Sequence, residues 1–167
     1  MLSIHDFHYS SDAPYPPIKA ESGNPAYARV MLDNIGGSNS EMSAISLYVF
    51  NQLITGYNPD VSAVFHKVSI VEMHHLEIFG KLAQQLGEEP RLWTQHGYWS
   101  PSYNQYPGEL RTLMRNVIDG EKAAISKYQH QISYIRDENI TENLRRIILD
   151  ERLHVEIFEK VYGAYCS

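Results

Sequence analysis

The chain has 167 residues, 43% apolar, 20% charged and 11% aromatic, which suits one domain able to bury a core without disulfide or zinc staples. Its 14 Lys and Arg against 20 Asp and Glu leave a formal charge of −6, which argues against a nucleic-acid groove or an anionic membrane surface. One cysteine, Cys166, excludes an intrachain disulfide, a cysteine-rich zinc site and a rubredoxin-type iron site. No apolar run approaches the ~18 residues that span a bilayer. Met1 to Ser10 carries Asp6 and two histidines rather than an apolar signal core, so a cytoplasmic location is expected.

Residues 1–23 read as a Pro-rich N-terminal arm, because Pro14, Pro16 and Pro17 suppress helix and strand ladders. Residues 24–167 read as a single helical domain. Asn24-Pro25 opens a short helix that stops at Gly36-Gly37. The first of four longer helices runs from about Ser38 or Ser40 to Thr55. The second opens at Asn58-Pro59 and continues to Leu86. A connection of some twenty residues follows, Gly87 to Tyr106, with Trp93, Trp99, Tyr98, Tyr103 and Tyr106. Its length and aromatic content predict that it packs on the surface of the domain. The third helix is predicted from Pro107 to about Arg136, then a tight turn at Asp137-Glu138-Asn139, then the fourth from Thr141 to about Tyr165. Two short connections and one long one define an all-α four-helix bundle with one long crossover between helices 2 and 3.

The informative step is to ask what interrupts each apolar stripe. In the second helix Val61, Val64, Phe65 and Val68 give way to Glu72 and His75 before Leu76, Phe79, Leu82 and Leu86. In the fourth, Leu144, Ile147 and Ile148 give way to Glu151 and His154 before Phe158, Val161 and Tyr165. In the third, Glu121 falls between Val117 and Ala124 on a stripe that continues to Tyr128. In the first, Glu41 leads Ala44, Ile45 and Tyr48. Each helix therefore turns one Glu toward the core, and two helices add a His three residues on, on the same face.

Four buried carboxylates are untenable without cations, since each lone buried charge costs several kcal/mol and like charges repel. The stripes offer no Lys or Arg at that level. Two divalent ions would neutralise four glutamates and leave two neutral imidazoles as ligands. One Glu from each of two helices plus Glu-x-x-His from the other two is the ligand set of ferritin-like di-iron and di-manganese carboxylate proteins. The expected metal ligands are Glu41, Glu72, His75, Glu121, Glu151 and His154, holding two Fe or two Mn ions per chain and no haem.

The wording of these segments resembles known families. Glu41-Met42-Ser43-Ala44, preceded by Gly36-Gly37, resembles the first ligand helix of manganese catalases and related spore-coat proteins. Val71-Glu72-Met73-His74-His75-Leu76-Glu77 resembles their second. Asp150-Glu151-Arg152-Leu153-His154 is similar to the fourth helix of bacterioferritin and rubrerythrin. The resemblance covers residues 24–165 and implies the ferritin-like fold and the same six ligands. Asp150 resembles the bacterioferritin aspartate that orients the His of the opposite motif, here His75; Val71 stands at the matching place before Glu72, so His154 lacks that partner. Tyr48 and Tyr128, each seven residues after a ligand Glu, resemble tyrosines near the metals of these families and are candidate catalytic residues. The chain departs from rubrerythrins at Ala124, where their third helix has an extra Glu. Cys166 and the histidines outside the two motifs show no ligand spacing, and His74 and Glu77 are expected to face solvent.

These readings imply an oxidoreductase that reacts with hydrogen peroxide or dioxygen, as a rubrerythrin-like peroxidase using an external electron donor or as a manganese-catalase-like enzyme using none. The alternative is a ferroxidase, iron-storage or spore-coat-type protein with the same site. A homodimer is expected, without nucleic-acid or membrane partners.

Overall fold

The structure, a computed structural model, describes residues 4–166; Met1 to Ser3 at the start of the predicted arm and Ser167 at the end of the predicted domain lie outside it, as does the His5 side chain. It contains α1 (Pro25–Gly36), α2 (Glu41–Ile54), α3 (Pro59–Gln85), α4 (Leu110–Tyr134) and α5 (Glu138–Tyr165). The helix starts follow from local side chains. Asn24 accepts from the amides of Ala26 and Tyr27, Ser40 from that of Ser43 and Asn58 from that of Val61, with Pro25 and Pro59 at first helical positions.

Two boundaries differ from the sequence reading. Helix α4 begins at Leu110 rather than Pro107, because the Glu109 carboxylate caps the amides of Arg111 and Thr112. Helix α5 begins at Glu138, because Asp137 caps the Ile140 amide and draws Glu138 and Asn139 into the first turn. An acidic first turn also suits the positive end of the helix dipole.

Helices α2 and α3 pack together, α4 packs on α5, and α3 meets α5 across the bundle; α1 lies on α3. The crossover between α3 and α4 contains a two-stranded antiparallel ribbon, β1 (Trp93–Thr94) and β2 (Gly97–Tyr98), too short to show an alternating pattern in the sequence. Its aromatic residues fasten it to the bundle: Trp93 packs on the core and Trp99 Nε1 donates to Ser43 Oγ at 2.9 Å. Asn104 Nδ2 donates to the Ser43 carbonyl at 3.0 Å.

The core has two apolar clusters. One gathers Met31 and Ile35 of α1, Ile78 to Ala83 of α3 with Leu86 just past its end, and Ile140 to Ile148 of α5. The other gathers Val61 to Val68 of α3, Leu113 to Ile118 of α4 and Ile157 to Val161 of α5. The arm crosses from one cluster to the other along α5, with Tyr9 beside His154, Ala13 beside Arg146 and Pro17 beside Asn143. Among the described residues no helix is long and apolar enough to cross a membrane.

Candidate metal centre

Between the two apolar clusters lies a polar layer. Glu72 and His75 stand one turn apart on α3, as do Glu151 and His154 on α5; Glu41 opens α2 and Glu121 sits at the middle of α4. All six side chains are at most 3% exposed. They fall into two overlapping groups, Glu41–Glu72–His75–Glu151 and Glu72–Glu121–Glu151–His154. Within each group one donor atom per residue lies within 4.8 Å of all the others, and Glu72 and Glu151 belong to both.

Both imidazoles point the same ring nitrogen inward. His75 Nδ1 is 3.0 Å from Glu72 Oε2 and 3.2 Å from Glu151 Oε1, while its Nε2 faces Asp150 Oδ2 at 3.0 Å. His154 Nδ1 is 2.8 Å from Glu72 Oε1 and 3.2 Å from Glu151 Oε2, while its Nε2 donates outward to the Tyr9 carbonyl at 2.9 Å. The position that holds Asp150 for one imidazole is thus filled for the other by a backbone oxygen of the arm. The two tyrosines cross over: Tyr48 donates to Glu121 Oε1 at 2.5 Å, and Tyr128 donates to Glu41 Oε1.

Without a cation the layer can balance only with protons. Burial and the neighbouring Glu72 and Glu151 push Glu41 well above the usual carboxylate range. Burial, Glu151 and Glu72 do the same to Glu121. Burial works against charge on Glu72, but the imidazoles of His154 and His75 outweigh it and hold that carboxyl low. Burial likewise opposes charge on His75 and His154, and the surrounding carboxylates overcome it and push both up. Among the described residues no Lys or Arg pairs with any of the four glutamates. Glu72 turns Oε2 to His75 Nδ1 and Oε1 to His154 Nδ1, so it stands in both groups. Four carboxylates, two inward imidazole nitrogens and a pair of glutamates common to both groups fit a pair of divalent ions.

A cavity of about 230 Å³ reaches the layer between α2 and α4. Glu41, Glu72, Glu121, Glu151, Tyr48 and Tyr128 line its floor, and Ser38, Asn39, Asn104, Gln105 and Asn116 line its mouth. The mouth residues are uncharged at neutral pH.

Sequence reasoning missed Arg146, which is 5% exposed and donates to Asp150 Oδ1 at 2.7 Å. Its i, i+4 spacing to Asp150 was the available signal. Tyr15 was missed too; its hydroxyl donates to Asp150 Oδ2 at 2.5 Å. His74 is half-buried against the Tyr15 ring rather than free in solvent, and Glu77 pairs with Lys81 on the surface. Cys166 is buried and remote from the layer, and burial pushes its thiol up.

A helical bundle with one long crossover and a carboxylate–imidazole layer between two apolar halves defines the ferritin-like class of fold. Over residues 37–162 the sequence matches the profile of the rubrerythrin family, and the chain belongs to that family. A "probable manganese catalase" of Clostridium acetobutylicum is 22% identical over 165 residues, spanning 86% of this chain and 73% of that relative. Two crystal structures of KatB, a manganese catalase from Anabaena, superpose with a TM-score of 0.83 at 24% identity, covering 95% of this chain and 80% of that one. At that identity the superposition speaks for the fold.

Proposed function

We propose that this chain is a non-haem di-metal oxidoreductase that disproportionates hydrogen peroxide, with manganese as its metal. The observation that carries this reading is the pair of overlapping four-residue groups that share Glu72 and Glu151. Glu41 and His75 would hold one ion and Glu121 and His154 the other, each together with Glu72 and Glu151, which belong to both groups. When bound, such a pair supplies two-electron exchange with peroxide. Manganese is favoured over iron by the relatives, which are named as manganese catalases.

The chain's own residues do the rest. The uncharged mouth admits a small neutral molecule without drawing anions toward four carboxylates. Tyr48 and Tyr128 donate hydrogen bonds to Glu121 Oε1 and Glu41 Oε1, which fixes the orientation of both carboxylates. Apolar clusters flank the layer on either side. Two H₂O₂ then give O₂ and two H₂O with no outside electron donor.

The test combines metal analysis of protein prepared without chelators with oxygen evolution from hydrogen peroxide. About two Mn per chain is expected for this ligand set, with O₂ release in the absence of any donor, and Glu72→Ala loses both. Iron with donor-dependent peroxide loss would instead make it a rubrerythrin-like peroxidase. Fe²⁺ oxidation in a hollow particle, seen by light scattering, would make it a ferroxidase or storage protein rather than the enzyme proposed here. No uptake of Mn²⁺ or Fe²⁺ would overturn the metal reading.

A further inference from the structure

The arm meets the outer side of His154 directly and that of His75 through Asp150. Ile4, Phe7 and Tyr9 rest on one apolar cluster, and Tyr15, Ile18 and Ala20 rest on the other. The residues between them pass over the polar layer. There the Tyr9 carbonyl accepts from His154 Nε2 at 2.9 Å. Two residues on, the Ser11 amide donates to Asp150 Oδ1 at 2.7 Å, and the Tyr15 hydroxyl donates to Asp150 Oδ2. That same Asp150 oxygen faces His75 Nε2. Arg146 locks the segment down. Its guanidinium donates to the Ala13 carbonyl at 2.7 Å and the Ser11 carbonyl at 2.8 Å, and lies 3.8 Å from the centre of the Tyr15 ring.

An imidazole that binds metal through Nδ1 must carry its proton on Nε2, and the acceptor of that proton sets both tautomer and ring angle. Here both acceptors are supplied or held by the arm. We propose that residues 9–15 form a positioning strap for the metal centre. The Tyr9 carbonyl fixes His154, and the Ser11–Tyr15–Asp150 junction, clamped by Arg146, fixes His75. Docking of the arm and retention of a divalent transition-metal ion are then thermodynamically coupled. The strap rests on the metal-binding reading above and extends it to a segment outside the matched profile, which begins at residue 37.

Linkage is reciprocal: if the docked arm tightens metal binding, bound metal must tighten the arm by the same factor. The first experiment uses the unmodified full chain. Amide hydrogen exchange is followed with and without saturating Mn²⁺, and the Ser11 amide is expected to slow on loading. The second is Mn²⁺ titration of full-length variants. Tyr15→Phe removes one hydroxyl next to His75 alone. It should weaken one of the two ions ~10–100-fold, the usual effect of losing a ligand's outer partner, and leave the other unchanged. Its electron paramagnetic resonance spectrum should shift from a coupled pair toward an isolated Mn²⁺ ion. Arg146→Gln, which frees the whole segment, should weaken both. Tyr165→Phe, which removes a part-buried hydrogen bond to Asp60, serves as the control for a lost tyrosine hydroxyl and should retain both ions.

Unchanged Ser11 exchange on loading would overturn the strap, as would two ions bound with unaltered affinity in both Tyr15→Phe and Arg146→Gln. A native chain that takes up no Mn²⁺ would overturn the metal reading itself, a result distinct from native uptake that the arm variants do not affect.

Discussion

Tyr48 and Tyr128 show how the site is tied together by single side chains. Each stands seven residues after a glutamate of its own helix, yet its hydroxyl reaches the glutamate of the other helix, Tyr48 to Glu121 and Tyr128 to Glu41. The cavity lies between α2 and α4, which pack on α3 and α5 respectively, so these two bonds tie α2 to α4 across its floor. Tyr128→Phe should keep the ring in place and leave Glu41 Oε1 without its donor, at a cost of ~1–3 kcal/mol. We expect a folded chain with two ions and a slower turnover, the metal count and oxygen evolution measured on one preparation. Loss of the ions would mean that Tyr128 holds the ligand rather than tunes it. Single-helix periodicity put each tyrosine on the buried face, because that face is a property of one helix. Which glutamate the hydroxyl meets depends on how two helices are set side by side, and no spacing in the sequence carries that. The six inward residues were readable because each interrupts an apolar stripe. The Tyr9 carbonyl was not, because a backbone oxygen has no residue type to recognise.

At the scale of elements, the crossover and the short first helix depend on one close approach. A Cβ on Gly36 would lie 2.7 Å from the Trp93 amide nitrogen and 2.8 Å from the Leu92 carbonyl carbon, both backbone atoms that cannot swing aside. Gly36→Ala should therefore force the start of the ribbon away from α1 and cost about 1–3 kcal/mol, the range for overpacking a filled site. Gly108→Ala is the matched control, since a Cβ there meets nothing within 4 Å. Denaturant midpoints of the two variants check this, and equal midpoints would mean that the ribbon shifts freely. The sequence marked Gly36-Gly37 as a helix stop and the crossover as a packed segment. It did not mark the ribbon, because two-residue strands are set by their docking on α1 and leave no alternation to read.

On the scale of the whole molecule, the question is what holds a bundle together around a layer of charge. The layer is flanked by two apolar clusters that join α2, α3, α4 and α5 on one side and α1, α3, α4 and α5 on the other. Those clusters are complete without any ion, and protons on the imidazoles and on Glu41 and Glu121 offset the charge of the metal-free layer. The metal-free chain should accordingly remain helical and cooperative after dialysis against chelator, with its far-ultraviolet circular dichroism retained. Ions that bind the folded chain alone stabilise it by mass action, ~2.7 kcal/mol for one site at a hundred times its dissociation constant. For a chain of this length that is a rise of ~5–11 °C in Tm. Loading with Mn²⁺ should produce at least that rise in the native protein, and none in Glu72→Ala, which lacks the carboxylate common to both groups. A metal-free chain that unfolds outright would show that the ions are structural, as in a zinc finger, and would place folding and metal uptake in one step. A native chain whose Tm ignores Mn²⁺ and Fe²⁺ alike would mean that the protons, and not metal ions, are the cations this layer was built to hold.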